Sequence, residues 1–172
     1  MELPLEKRLR VGFATSVGSP KTARRVGQLA ESHGFDSLWT GDHVAFTGPI
    51  HDPLLQLAQL AAYTKKILLG TSVFLLPLRN PVIAAKQIAT LDHLCEGRFI
   101  FGVGVGGEFP EEYGACQVPV TERGARLSEQ IPLVKALFRG PTSSEHGRFY
   151  RFPTIHLQPA PIQPGGPAIW CG

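Results

Sequence analysis

No window of this 172-residue sequence approaches the roughly 18 consecutive apolar residues that a membrane-crossing helix needs. The opening Met-Glu-Leu-Pro-Leu-Glu-Lys-Arg also lacks the apolar centre of a signal peptide. The expectation is a cytoplasmic protein with no membrane partner. Cysteine is scarce. Cys95, Cys116 and Cys171 are odd in number and too scattered for a disulfide framework or a paired-cysteine zinc site, so free thiols in a reducing compartment are expected. Charge of either sign is thin: 17 Lys and Arg against 14 Asp and Glu leave +3, without a basic run, and give no reason to expect nucleic acid. The histidines His33, His51, His93, His146 and His156 show no ligand spacing with one another or with cysteine, so no metal site is expected. What is present, 43% hydrophobic residues, suffices for one core, and residues 1–172 read as a single domain.

Along the chain, strand and helix signals alternate. Leu9 to Ala14 reads as a first strand. Ser19-Pro20 then caps and opens a helix to about His33, with Ala23, Val26, Leu29 and Ala30 on its buried face. A second helix is expected over Leu54 to Tyr63 and a strand over Ile67 to Val73. Asn80-Pro81 repeats the cap-then-proline signal for a helix that stops at Gly97, and Phe99 to Val103 follows as a strand. After a glycine-rich, acidic loop from Gly104 to Gly114, a helix from about Glu122 to Phe138 carries Pro132 inside it, where a kink is expected. A hairpin-like segment around His146 to Phe152 and a proline-rich stretch lead to Ala168-Ile169-Trp170-Cys171, the start of a fifth strand. Strand and helix alternate, and a helix between successive strands is the crossover that parallel pairing needs, so the sheet should be parallel. It belongs either to an open doubly wound α/β fold or to the front half of an eight-stranded barrel.

The stretch that organises this pattern is Gly34 to His43. Gly34 ends the first helix, Ser37-Leu38-Trp39 reads as a buried strand, and Thr40-Gly41-Asp42-His43 delivers a carboxylate and an imidazole just past the strand's carboxyl end. In parallel α/β proteins ligands bind at that edge. A second motif, Gly102-Val103-Gly104-Val105-Gly106-Gly107, matches the dinucleotide fingerprint G-x-G-x-x-G. That fingerprint works only where a helix opens at its third glycine. Here Glu108, Pro110 and two more glutamates make a poor phosphate seat, and a tightly packed strand end is the plainer reading.

An ordered set of segments then resembles the bacterial-luciferase-like flavin and deazaflavin oxidoreductases, the F420-dependent branch in particular. These are Gly34 to His43, Gly70-Thr71-Ser72-Val73 with Arg79-Asn80-Pro81, Leu91 to Phe99, Gly102 to Gly106 with Glu108-Phe109, Glu122-Arg123 and Gly147-Arg148-Phe149-Tyr150. The resemblance implies the amino-terminal half of a (β/α)8 barrel of the TIM type, four to five parallel strands with their helices. It implies coenzyme F420, or alternatively FMN, lying against Asp42, Thr71, Ser72, Val73, Gly104 and Val105, a cis peptide at or beside Ser72-Val73, and a homodimer. Cys95, where a serine is usual, and Pro132 depart from the family pattern.

His43 is the candidate for catalysis, because an imidazole ordinarily changes charge near neutral pH and can pass a proton beside a hydride transfer. Asp42 would orient it or bond the coenzyme. The plainer reading makes Asp42 a turn cap and His43 a surface histidine. Glu108 is read as a solvated loop charge, Trp39 as core, and Asp36, Asp92 and Arg98 as structural groups at the amino-terminal ends of strands. Two functions from different classes follow: an oxidoreductase moving hydride between F420 and a small organic substrate, with an FMN-dependent monooxygenase as its neighbour, or a non-catalytic half-barrel acting through dimerisation or assembly.

Overall fold

The computed structural model describes residues 8–172. The first seven residues of the expected single domain lie outside it. Five strands form one sheet in the order β1 (Gly12–Ala14), β2 (Ser37–Thr40), β3 (Leu68–Thr71), β4 (Phe99–Val103) and then the last strand of the chain, Ala168–Cys171. Every neighbouring pair is parallel. Helices α1 (Pro20–Ser32), α2 (Pro53–Tyr63) and α3 (Pro81–Leu94) connect the first four strands. Between β4 and the last strand come α4 (Pro110–Ala115), α5 (Arg123–Arg139) and an antiparallel pair, β5 (Thr142–Ser144) with β6 (Phe152–Ile155), which makes the last strand β7.

Three helices start on the same local device. The side chains of Ser19, Asp52 and Asn80 accept from amides of the first turn, and a proline follows each at the first helical position. A cap of this kind is worth about 1 kcal/mol, and the proline gives up only an N–H that has no helical partner.

Strand alternation assigns the two faces of the sheet. Leu38, Leu69, Phe99, Phe101 and Val103 point one way and are buried against Ala23 and Ala30 of α1, Leu57 and Leu60 of α2, Ile88 of α3 and Leu137 of α5. The other face carries Trp39, whose indole lies where a Cβ on Gly70 would fall 2.3 Å from it, and Trp170, 5.4 Å away between ring centroids. With helices on one face only, the sheet is the barrel type and not the doubly wound one.

Several expectations change. The first strand begins at Gly12, and Leu29 is exposed because Gly27, not Leu29, packs inward, against Thr64 and Leu60. Trp39 is half-buried on the inner face, outside the core. Of the expected hairpin segment, residues 146–151 lie in the connection and Phe152 opens β6, paired with Ser144. The acidic loop contains α4, and α5 runs through Pro132 as one helix. The peptide Ser72-Val73 is cis, as the resemblance implied. All three cysteines are free thiols.

Candidate functional site

The carboxyl ends of β2, β3 and β4 surround a cavity of about 450 Å3 lined by His43, Ser72, Val73, Gly104 and Val105, with Ile50 and Leu75 completing its apolar wall. Strand pairing brings these residues together: Thr40 sits beside Thr71, so the loops that follow β2 and β3 leave the sheet side by side. The β4 end is drawn close as well. A Cβ on Gly102 would lie 1.9 Å from the Thr71 carbonyl oxygen, and one on Gly104 would lie 2.3 Å from Val73 Cγ2, so only glycine permits this approach. No helix opens at Gly107; α4 begins at Pro110 with two glutamates in its first turn, so the glycine motif is no phosphate cradle.

Asp42 and Thr71 hold structure at this site. The Asp42 side chain is fully buried and takes a bidentate grip from Arg79, Nη1 at 2.5 Å and Nη2 at 2.8 Å, with the Leu75 amide at 2.8 Å on the same carboxylate. Burial pushes its carboxyl above the ordinary carboxylate range, while Arg79 and the Leu75 amide pull the other way. It neither orients His43 nor has a carboxylate free for a coenzyme; only its backbone borders the cavity. Thr71 is buried and donates its hydroxyl to the Gly102 carbonyl at 2.7 Å, which ties β3 to β4. It lines a neighbouring hollow of about 350 Å3 on the inner face, between Trp39 and Trp170. Ser72 and Val73 border both spaces. Glu108 is exposed, yet it also lines the His43 cavity.

His43 is oriented by a residue the sequence reading passed over. Glu112 of α4, fully buried, lies 3.0 Å from His43 Nδ1 through Oε1, and its Oε2 accepts from the amides of Val44 at 2.9 Å and Ala45 at 3.3 Å. Phe46 stacks on the imidazole at 4.4 Å, and Phe109 meets it edge-on at 5.5 Å. The available signal was Pro110-Glu111-Glu112, a proline followed by two acids, which marks a helix start where a loop was expected. Tyr113 then donates its hydroxyl to the Val105 carbonyl and anchors α4 to the β4 loop; burial pushes this phenol up to about 12.

At the opposite end of the strands the expected structural groups are found. Asp36 accepts from the Val11 amide, Asp92 takes the amide and side chain of Gln163, and Arg98 donates to Thr64 and the Ile67 carbonyl. A larger hollow of about 860 Å3 runs along α1 past Lys21, Arg24 and Tyr63, away from every strand end. Among the described residues no helix is long and apolar enough to cross a membrane, and no group of three His, Cys, Asp or Glu side chains is placed to hold a metal ion.

Half of a (β/α)8 barrel, with a cavity at the carboxyl ends of its strands, is therefore the class of protein defined here. The chain belongs to the luciferase-like monooxygenase family, whose model matches residues 6–172. It is 35% identical to the oxygenase component of a flavin-dependent trigonelline monooxygenase from Acinetobacter baylyi, over 83% of this chain and 40% of that protein. It is also 35% identical to an F420-dependent glucose-6-phosphate dehydrogenase from Kineococcus radiotolerans, over 94% of this chain and 52% of that one. Monooxygenase RslO1 from Streptomyces bottropensis superposes with a TM-score of 0.84 at 27% identity, over 95% of this chain and 53% of its own. The chain thus spans about half the length of the relatives it matches.

Proposed function

We propose that this chain forms the coenzyme-bearing half of an oxidoreductase that transfers a hydride between coenzyme F420 and a small organic substrate. The observation that carries the reading is the cavity of about 450 Å3, which joins one imidazole, His43, to a flat wall of Val73, Gly104 and Val105. Its volume is that of a small-molecule site. The wall suits a planar ring: glycine at 104 keeps the backbone low, and the exposed Ser72 hydroxyl can bond a polar ring edge. When bound, the deazaflavin supplies hydride exchange at one ring carbon. The chain's own part is to hold the substrate against that ring and to manage a proton. A hydride leaving an alcohol carbon is matched by a proton leaving its oxygen, and His43 takes that proton.

A second reading, an FMN-dependent monooxygenase, is favoured by the trigonelline enzyme and RslO1, both named as monooxygenases. Fluorescence titration of the full chain with F420 and with FMN separates the two. Saturable binding of F420, lost in Val105→Trp and kept in His43→Ala, supports the first; saturation by FMN alone supports the second. Binding of neither removes both and leaves the non-catalytic half-barrel.

The same proposal includes a homodimer through α2 and α3. Leu55, Ile83 and Leu94 are 67%, 58% and 56% exposed on these helices, and Leu55 and Leu94 border one shallow hollow of about 330 Å3. An exposed apolar surface of this kind marks an association site, and a second copy is the occupant proposed here.

A further inference from the structure

We infer that Glu112 is a positioning residue for His43: it holds the imidazole with its proton on Nδ1, which leaves Nε2 as the bare nitrogen at the cavity. The tautomer follows from the geometry once Glu112 is taken as a carboxylate; its catalytic consequence rests on the reading of His43 as proton acceptor. Glu112 is fully buried, and both its oxygens are spent on one segment. Oε2 faces the Val44 and Ala45 amides, which can only donate, so that oxygen accepts. A carboxylate has no proton of its own to give, so the hydrogen in the 3.0 Å contact between Oε1 and Nδ1 belongs to the ring. A neutral imidazole carries a single N–H, and Nε2 therefore keeps its lone pair.

The surroundings support this assignment. Nε2 has no hydrogen-bond partner among the described residues, while the His43 side chain is 21% exposed and borders the cavity. Phe46 covers one ring face and Phe109 packs perpendicular to the ring, which resists the flip that would put Cδ2 in place of Nδ1 beside Glu112. The adjacent carboxylate, Asp42, is committed to Arg79 and Leu75 and cannot compete for the ring. Glu112 does not line the cavity, so it acts through His43 and not on a ligand.

Nitrogen-15 NMR of the full chain with labelled histidine tests the assignment without any coenzyme. In the neutral ring of the wild type, Nδ1 should resonate as a protonated nitrogen and Nε2 as a bare one. Glu112→Gln has a single acceptor oxygen, which the Val44 and Ala45 amides claim; its NH2 then faces Nδ1, and the ring proton should move to Nε2. Glu112→Ala should lose the wild-type pattern, the two signals moving toward an averaged mixture, with circular dichroism reporting whether the fold survives. A wild-type ring protonated on Nε2, or a folded Glu112→Ala with the wild-type pattern, overturns the inference. With coenzyme and substrate in hand, Glu112→Ala should lower kcat by at least about tenfold, toward the roughly 100-fold or more that a positioned acid–base group contributes, with little change in KM and no recovery in Glu112→Gln, whose NH2 would put the ring proton on Nε2. A shifted tautomer with undiminished kcat would leave the positioning role standing and remove His43 as proton acceptor.

Discussion

Replacing Arg79 by methionine should turn the centre of the site against the fold. The Asp42 side chain is fully buried, and Arg79 gives it two hydrogen bonds and its compensating charge. Removing one partner of such a pair costs about 3–5 kcal/mol, because a lone buried charge remains. The stranded carboxyl can escape by taking up a proton, which limits the loss. From the ordinary value of 3.8 to pH 7, at about 1.4 kcal/mol per pH unit, the ceiling is roughly 4 kcal/mol. For a chain of this length that lowers Tm by roughly 8–16 °C. The sign of the pH dependence follows. Folded Asp42 already has a raised pKa, and without Arg79 it rises further, so the folded state binds a proton that the unfolded state releases. Stability therefore falls as pH rises between 3.8 and the folded value, and the penalty should shrink to roughly 1.5 kcal/mol by pH 5. A smaller loss persists at all pH values, because Arg79 also stacks 4.4 Å over Phe74 and bonds the Leu75 carbonyl. Urea melts of wild type and Arg79→Met at pH 5 and 7 measure both terms. A penalty below about 1 kcal/mol at pH 7, or one equal at both pH values, would refute the reasoning.

Three further outcomes are expected. Gly102→Ala should lose at least about 3 kcal/mol or fail to fold, since its Cβ meets the Thr71 carbonyl oxygen at 1.9 Å, whereas Gly114→Ala, with nothing within 4 Å, should be neutral or slightly stabilising in the same melts. Titration with an aromatic disulfide at pH 8 should modify exposed Cys171 first and half-buried Cys116 more slowly; Cys95, fully buried and with its thiol pushed up to about 12, should react only on unfolding. Leu55→Glu with Leu94→Glu should convert the proposed homodimer to a folded monomer by light scattering, and a wild type already monomeric at high concentration would exclude that interface.

Much of the frame is legible along the sequence because its signals are local. Ser19-Pro20 and Asn80-Pro81 mark helix starts within one residue, and Phe99 to Val103 is a strand over its whole predicted length. Asp52-Pro53 carries the same capping chemistry and begins α2 one residue earlier than periodicity suggests. The partners of polar groups are less legible. Glu112 meets His43 across 69 residues, and Arg79 meets Asp42 across 37, distances over which no spacing rule operates. Asp42 and His43 look like a functional pair because they are adjacent, yet their side chains serve different neighbours. Thr71 shows the same limit: a hydroxyl at a strand end suits a ligand or a carbonyl equally, and only the close approach of Gly102 decides for the carbonyl.

Those long-range partners form one chain of support. Glu112, on the element after β4, holds two amides and the imidazole of the loop after β2. Asp42, at the root of that loop, holds an amide and the guanidinium of the segment after β3. Thr71, ending β3, returns a hydrogen bond to β4. Each carboxylate is buried, so leaving its partners would strand a charge away from water, a penalty of several kcal/mol that fixes loops which otherwise would move. The three strand ends are therefore tied to one another within the described residues, and the wall of Val73, Gly104 and Val105 stands in place relative to His43, with Gly172 past β7 packed beside Val73 and bonded to Val103. A planar ligand meeting this edge would find it already ordered, which reduces the ordering cost that binding otherwise carries.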